Sequence, residues 1–195
     1  KRGGGLLVRL SGQQLADVAV GMARLDTGPE QLWWALAHTA ASRAAQGDAL
    51  AGGQVASLLW ALSRAPEGCV PARAVSSLAT ALLEAVPGLE LRGLAVAAAA
   101  LRALHHAPPA RLAAALATRV THLLAPDPAS EGDGSASDSQ QAGSTEGGQD
   151  GSSSLLSTVH RLGSAHTAAS RDVAVLRGVF AAWGVRGREL WRALK

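Results

Sequence analysis

The sequence has little cysteine and no long apolar run, and each shortage excludes a class of protein. Its single cysteine, Cys69, excludes an intramolecular disulfide and a zinc site built from several cysteines of this chain. No stretch reaches the roughly 18 consecutive apolar residues of a membrane-spanning helix, because Arg, Gly, Pro or Ser interrupts every Ala- and Leu-rich block. Alternation of apolar and polar residues is nowhere sustained, so the sequence predicts no strands. These shortages leave a helical chain without a membrane span.

Motifs of the common enzyme classes are also missing. The sequence contains no nucleophile elbow for Ser/His/Asp catalysis and no glycine-rich phosphate loop after a strand. His105 and His106 are adjacent, and neighbours on a helix do not face one another, so a turn before the next two prolines explains them better than a metal site. Cys69 lies among Pro and Gly residues without a catalytic context. We therefore predict no enzymatic activity, no metal and no cofactor.

Charge is unevenly distributed along the chain. Of its 15 acidic residues, six lie in one segment that contains no Lys or Arg: Asp127, Glu131, Asp133, Asp138, Glu146 and Asp150. The rest of the chain has 18 bases against 9 acids, a charge near +9, and 16 of these bases are Arg. This balance favours a polyanionic partner. The alternative is that Arg is simply abundant in an Ala-, Gly- and Arg-rich sequence.

The most informative feature that is present is an internal repeat. A block with similar apolar columns occurs at residues 14–25, 54–65, 93–104 and, after a long insertion, 154–165. A second kind of block follows each of them, at residues 29–44, 71–86, 109–124 and, more loosely, 169–184. Leu15, Val18 and Met22 show the three- and four-residue spacing that places apolar side chains on one helix face. The unit is therefore a pair of helices.

An array of such pairs predicts an all-α fold, an α-solenoid of about four helix-turn-helix repeats of 38–42 residues. Each pair has an apolar face too wide to hide alone, so stacking on its neighbour buries that face and creates a curved, concave surface. Residues 1–10 are a flexible end or the remnant of a preceding repeat, 11–125 hold three pairs, and 154–195 hold a fourth pair and a C-terminal helix. Predicted core residues of the third pair are Leu101, Leu104, Leu112 and Leu116.

Residues 126–153 form the insertion between the third and fourth pairs. They are dominated by Ser, Gly, Asp, Gln and Glu and contain no large apolar side chain. Such a segment buries too little surface to offset its ordering entropy, so we predict an acidic, disordered, low-complexity insertion. It is either a solvated linker or an acidic tether that competes for the basic surface.

The first helices resemble those of a known family. The segment 54–65 (QVASLLWALSRA), and with it 14–25 (QLADVAVGMARL), resembles the first-helix signature of octotricopeptide repeat (OPR) proteins. FAST kinase-like helical arrays share the pattern. The resemblance implies a non-catalytic, single-stranded RNA-binding protein of the chloroplast, or alternatively the mitochondrion, that stabilises, processes or promotes translation of a transcript. The third pair departs from the signature, with Gly93 in the Gln54 column and Ala99 in the Trp60 column.

Polar positions off the apolar stripe are the candidate RNA contacts: Gln14, Asp17, Arg24, Gln54, Ser57, Arg64, Arg102 and Arg161. Amide and carboxylate groups suit base edges, and guanidinium groups suit phosphates. The alternative is that these residues form the wet face of any amphipathic helix. Of the adjacent Trp33 and Trp34 we expect one to be buried and one partly exposed, and we expect Trp60 to pack in the core.

Two kinds of partner follow from an array of this type. RNA binding predicts that the arginines line one continuous surface. Arginines scattered over both faces would favour a protein-interaction scaffold, for example an accessory component of an organellar ribosome or assembly complex.

Deleting residues 126–153 tests whether the insertion contributes to the fold. We expect the far-UV circular dichroism signal per molecule and the midpoint of thermal unfolding to stay unchanged, because a loop closure of this kind costs only about 0.6 kcal/mol per doubling of its length. A weaker helical signal, or a midpoint lowered by many degrees, would show that the segment packs against the helices.

Overall fold

The computed structural model describes residues 7–47, 50–125 and 169–195. Regular structure in these ranges is helical and includes no strand, which confirms the prediction of an all-α chain. The helices are α1 (Gly12–Leu25), α2 (Glu30–Ala45), α3 (Gly52–Leu62), α4 (Ala72–Ala85), α5 (Leu91–Ala103), α6 (Ala110–Leu124), α7 (residues 169–182) and α8 (Arg188–Ala193). The 3₁₀ turn Val86–Gly88 follows α4. No described helix is long and apolar enough to cross a membrane.

Glutamine side chains cap the starts of two first helices. The Oγ of Ser11 accepts a hydrogen bond from the N–H of Gln14 (3.1 Å), and Gln14 Oε1 accepts one from the N–H of Ser11 (2.8 Å). At α3, Gln54 Oε1 accepts from the N–H of Ala51 (3.1 Å), but Ala51 has no side-chain oxygen to complete the reciprocal pair. Each bond satisfies an N–H group that has no partner within the helix. Three prolines directly precede α2, α4 and α6: Pro29, Pro71 and Pro109.

The helices pack in two rows. The first row is α1, α3 and α5, and the second row is α2, α4 and α6; in each row every helix contacts the next. Contacts within each helix pair join the two rows. The apolar face of one pair is therefore covered by the following pair.

Glycine and leucine fix the approach of consecutive first helices. A Cβ atom on Gly12, the first residue of α1, would lie 2.8 Å from Leu50 Cδ2, and one on Gly52, the first residue of α3, would lie 2.9 Å from Leu89 Cδ2. A larger residue at either position would displace that leucine. The start of each helix thus lies beside the start of the next, which makes the first-row helices parallel. Helix α5 has Leu91 at the equivalent place.

Leucine and alanine dominate the core. Leu101, Leu112 and Leu116 are fully buried, as predicted, whereas Leu104 lies at the end of α5 and is only partly buried. Trp33 is 2% exposed and Trp34 is 52% exposed, which confirms that one of the two is buried. Trp60 and the single thiol also contact this core, Trp60 partly buried and Cys69 buried.

The last two helices continue the rows in an order that differs from the sequence prediction. Helix α8 contacts α6 in the second row, and the guanidinium group of Arg102 in α5 lies beside Gly178 of α7. The side chains that α7 buries include Leu176 and Phe180. The sequence predicts residues 169–184 as a second helix, whereas α7 here lies beside the end of the first helix α5, and α8 contacts the second helix α6. Periodicity identifies a helix's apolar face but does not tell which row it joins.

Three predicted segments fall wholly or partly outside the described residues. They are most of the flexible end 1–10, the acidic insertion 126–153, and the block 154–165 with Arg161. Their predictions stay predictions.

Leu58 tests how far the core depends on contacts between pairs. Its side chain is fully buried in α3, so we expect Leu58→Ala to lower the free energy of unfolding by about 2–5 kcal/mol. Leu25, at the end of α1, is 75% exposed, and Leu25→Ala should change it by less than about 0.5 kcal/mol. Urea unfolding followed by circular dichroism measures both; equal effects would contradict the described packing.

Candidate nucleic-acid interface

The loops within the helix pairs all lie along one side of the molecule. These loops, residues 26–29, 63–71, 104–109 and 183–187, each connect the end of a first helix to the start of its partner. Because the first-row helices are parallel, their ends lie together, and we call this side the hairpin edge. The starts of the first helices and the ends of the second helices form the opposite edge.

The hairpin edge is basic. Seven exposed arginines lie in its loops or in the adjacent helix turns: Arg24, Arg64, Arg73, Arg102, Arg111, Arg186 and Arg188. Four carboxylates share that edge: Asp26, Glu30, Glu67 and Glu189. Within the described ranges no ion pair joins these arginines to a carboxylate. Three of the carboxylates lie in the first two pairs, so the positive charge increases toward α8.

The opposite edge has fewer exposed arginines. They are Arg9, Arg92 and Arg171, and the described carboxylates of this edge are Glu84, Glu90 and Asp172. Helix α8, with six residues, is too short to reach it from the hairpin edge. The two edges therefore differ in the number of exposed guanidinium groups. A polyanion meets more of these groups on the hairpin edge.

Two further arginines of the opposite edge hold the backbone. The guanidinium of Arg43, near the end of α2, donates hydrogen bonds to the carbonyl oxygens of Val8 (2.9 Å) and Leu10. Arg119 Nε in α6 donates to the carbonyl oxygen of Leu89 (3.2 Å). Leu10 and Leu89 each stand two residues before a first helix, so both arginines tie a second helix to the approach of its own partner. Both are half-buried and committed to the fold.

The predicted glutamine contacts already have structural partners. Gln14 and Gln54 cap α1 and α3, and Gln54 Nε2 also donates to Gln13 Oε1 across the two helices (3.4 Å). In α5 the column holds Gly93, where a Cβ would lie only 3.0 Å from Leu89 Cδ2, so the close contact leaves little room for a side chain. Capping of the helix starts thus explains the repeated glutamines, and their contact with RNA stays a prediction.

The other predicted residues divide between two places. Asp17 is exposed on α1 and accepts a hydrogen bond from Gln13 Nε2 (2.8 Å), and Ser57 is half-buried between α3 and α5. Arg24, Arg64 and Arg102 are all exposed at the hairpin edge. The structure therefore brings the three arginines to one edge and leaves the base-reading candidates on the face of the first row.

Sequence reasoning missed a basic cleft around α8. It has a volume of about 460 Å³ and includes four cationic side chains and one indole: Arg186, Arg188, Arg192, Lys195 and Trp191. Trp191 Nε1 donates to the carbonyl oxygen of Val185 (3.2 Å), which fixes the ring beside the cleft. The local sequence RGRELWRALK contains the signal, a concentration of cationic residues, but its helix was predicted only as a C-terminal addition.

The adjacent histidines lie in the hairpin loop of the third pair, as predicted. His105 has a positive φ of 52° and ends α5, and His106 follows it with a buried Nε2 that has no hydrogen-bond partner. In the described ranges no group of three or more His, Cys, Asp or Glu side chains is placed to hold a metal ion.

Arg43 and Arg24 provide a test of which arginines serve the fold. Arg43→Ala removes the hydrogen bonds that Arg43 donates, so it should lower the free energy of unfolding by about 1.5–3 kcal/mol. Exposed Arg24 has no such partner, so Arg24→Ala should stay within about 0.5 kcal/mol. Chemical unfolding of both variants is the measurement, and an equally large decrease in Arg24→Ala would contradict this division.

The described geometry thus consists of two helix rows, a hairpin edge with seven exposed arginines and an opposite edge with three. Each helix pair places one or two guanidinium groups on the hairpin edge, and such a series suits the phosphates of an extended polyanion. Comparison of the chain with protein-family models, with curated proteins and with solved structures finds no match.

Proposed function

We propose that this chain is a non-catalytic single-stranded RNA-binding protein that holds the phosphate backbone along its hairpin edge. The observation that carries the proposal is the set of seven exposed arginines on that edge, without carboxylate partners in the described residues, compared with three exposed arginines on the opposite edge. Phosphate contacts supply most of the sequence-independent affinity for nucleic acid.

The packing supports an extended binding surface. Two rows in which each helix contacts the next are the packing of an α-solenoid, and we propose that the rows form such a superhelical array. Successive pairs then present one or two arginines each at regular intervals. Because an extended single strand also repeats its charge at regular intervals, it suits this edge better than a compact anion.

The biological setting comes from the resemblance of the first helices to octotricopeptide repeats. It supports action on an organellar transcript, in the chloroplast or alternatively the mitochondrion, by stabilisation, processing or translation. Occupying the transcript would block nucleases or expose a ribosome site without any chemical step.

A salt series with matched arginine pairs tests the proposal. The full chain should bind a pool of single-stranded RNA with an affinity whose logarithm falls by about 0.7 per bound phosphate for each unit of log salt. Arg24→Ala with Arg64→Ala should weaken binding and reduce that slope by about 0.7 for each phosphate that the variant no longer neutralises. The control is Arg9→Ala with Arg92→Ala, which removes the same charge from the opposite edge and should leave the slope unchanged.

Two outcomes would contradict the proposal. Equal weakening by both arginine pairs would mean that only net charge attracts the RNA. Absence of binding at low salt, by protein that circular dichroism shows to be helical, would favour the protein-interaction scaffold instead.

A further inference from the structure

An aromatic stack lies exposed on the second row. Trp34 and His38 are one helical turn apart on α2, and their rings are nearly parallel, with an interplanar angle of 6° and centroids 5.2 Å apart. Trp34 is 52% exposed, although its neighbour Trp33 already fills the core beneath. An indole of this exposure forgoes the apolar burial that normally stabilises a tryptophan. The stack is therefore poorly explained by the fold alone.

A groove between α2 and α4 runs beside this stack. Its volume is about 570 Å³, within the size range of small-ligand sites. Polar groups on its walls come from Ser42 and Gln46 on one side and Ser77 on the other. Arg73, in the first turn of α4, supplies a cation, and no carboxylate of the described residues lines the groove.

The groove adjoins the hairpin edge. Arg73 is one of the arginines of that edge, and it also lines the groove that contains Trp34. The lining also includes Ser42 and Gln46 at the end of α2, so the groove extends from the hairpin edge toward the opposite edge. A strand of RNA whose phosphates follow the hairpin edge passes the end of the groove that Arg73 lines. A base turned inward from that strand would meet the aromatic stack.

We infer that this groove binds one nucleobase of a single-stranded RNA, which stacks on Trp34 and His38 while Arg73 contacts the adjoining phosphate. Every base has a flat π-face, so stacking on an indole tolerates any sequence. Gln46 Nε2 donates to Ser42 Oγ (3.2 Å), and Ser77 Oγ donates to the carbonyl oxygen of Arg73 (3.1 Å). The Ser42 hydroxyl can still donate to a base edge, and Ser77 Oγ and Gln46 Oε1 can accept from one. That the natural ligand is RNA rests on the proposed RNA-binding function. That the groove binds a nucleobase rests on the groove and its side chains alone.

The chemistry of the groove favours a base over other flat or apolar ligands. A cationic ligand such as a methylated lysine needs several aromatic walls and nearby negative charge, but this groove has one aromatic stack and an arginine. A hydrophobic peptide side chain would find three polar side chains and a guanidinium on the walls. A nucleotide uses both the stack and the positive charge.

A mononucleotide titration tests the site separately from RNA binding. The indole N–H signals of the full chain are followed by NMR as AMP is added, with the Trp34 signal assigned from Trp34→Phe. AMP should shift the Trp34 signal saturably, and ribose 5-phosphate, which has the phosphate but no base, should not. Trp60 and Trp183, which line neither this groove nor the basic cleft around α8, are internal controls. Arg73→Ala should reduce the preference for AMP over adenosine.

Binding of RNA and of an abasic strand of equal length provides the second measurement. Trp34→Leu should weaken binding of the RNA about 5- to 150-fold, the value of one stacked base, and leave the abasic strand unaffected. The control is Gln31→Leu, which changes another exposed residue of α2. Unchanged thermal unfolding of both variants shows that the fold is intact.

The outcomes separate the two proposals. If AMP leaves the Trp34 signal unmoved at millimolar concentration, the inference is wrong, even if RNA binds. If AMP shifts it and RNA does not bind at all, the groove is a mononucleotide site and the proposed function is wrong. If RNA binding is equal in Trp34→Leu and in the unaltered chain, the groove does not contribute to RNA recognition.

Discussion

The rest of the structure depends on one constraint: a helix pair of this composition can bury its apolar face only against the next pair. Fully buried side chains such as Leu58 and Leu101 belong to first helices that lie between the neighbouring helices of their row. The same constraint makes the first helices parallel, and parallel helices bring their hairpin loops to one edge. Charge carried by those loops is therefore concentrated on one side of the molecule, although it is dispersed along the sequence.

Arginine serves two purposes in this chain, and geometry separates them. At the ends of second helices, Arg43 and Arg119 donate to backbone carbonyl oxygens, where a rigid planar group with several donors is well suited. At the hairpin edge, Arg24 and Arg64 are exposed and have no hydrogen-bond partner among the described residues. Phosphate recognition uses the same donor geometry, so the chemistry of the residue alone does not distinguish these uses; the neighbouring atoms do.

Much of the local structure was predictable from sequence because it depends on neighbours along the chain. The three- and four-residue spacing predicted the helices from α1 to α6 within a few residues, and the buried Leu112 and Leu116 followed from the same pattern. The row of α7 was not predictable, because it depends on contacts with a distant segment. The exposed stack of Trp34 on His38 was not predictable either, because the sequence does not show which helix face remains uncovered after the pairs assemble.

The leucine contacts on Gly12 and Gly52 have a consequence for the connections between pairs. Each such contact requires the chain to place a leucine two residues before the next first helix, so the length of the preceding connection is constrained. Leu91 stands at the equivalent position in α5, where a bulky side chain takes the place of the glycine. The connection that leaves α6 is therefore free of this length requirement, and it is the one in which the chain carries its long acidic segment. Variation in length among related chains should concentrate at this junction.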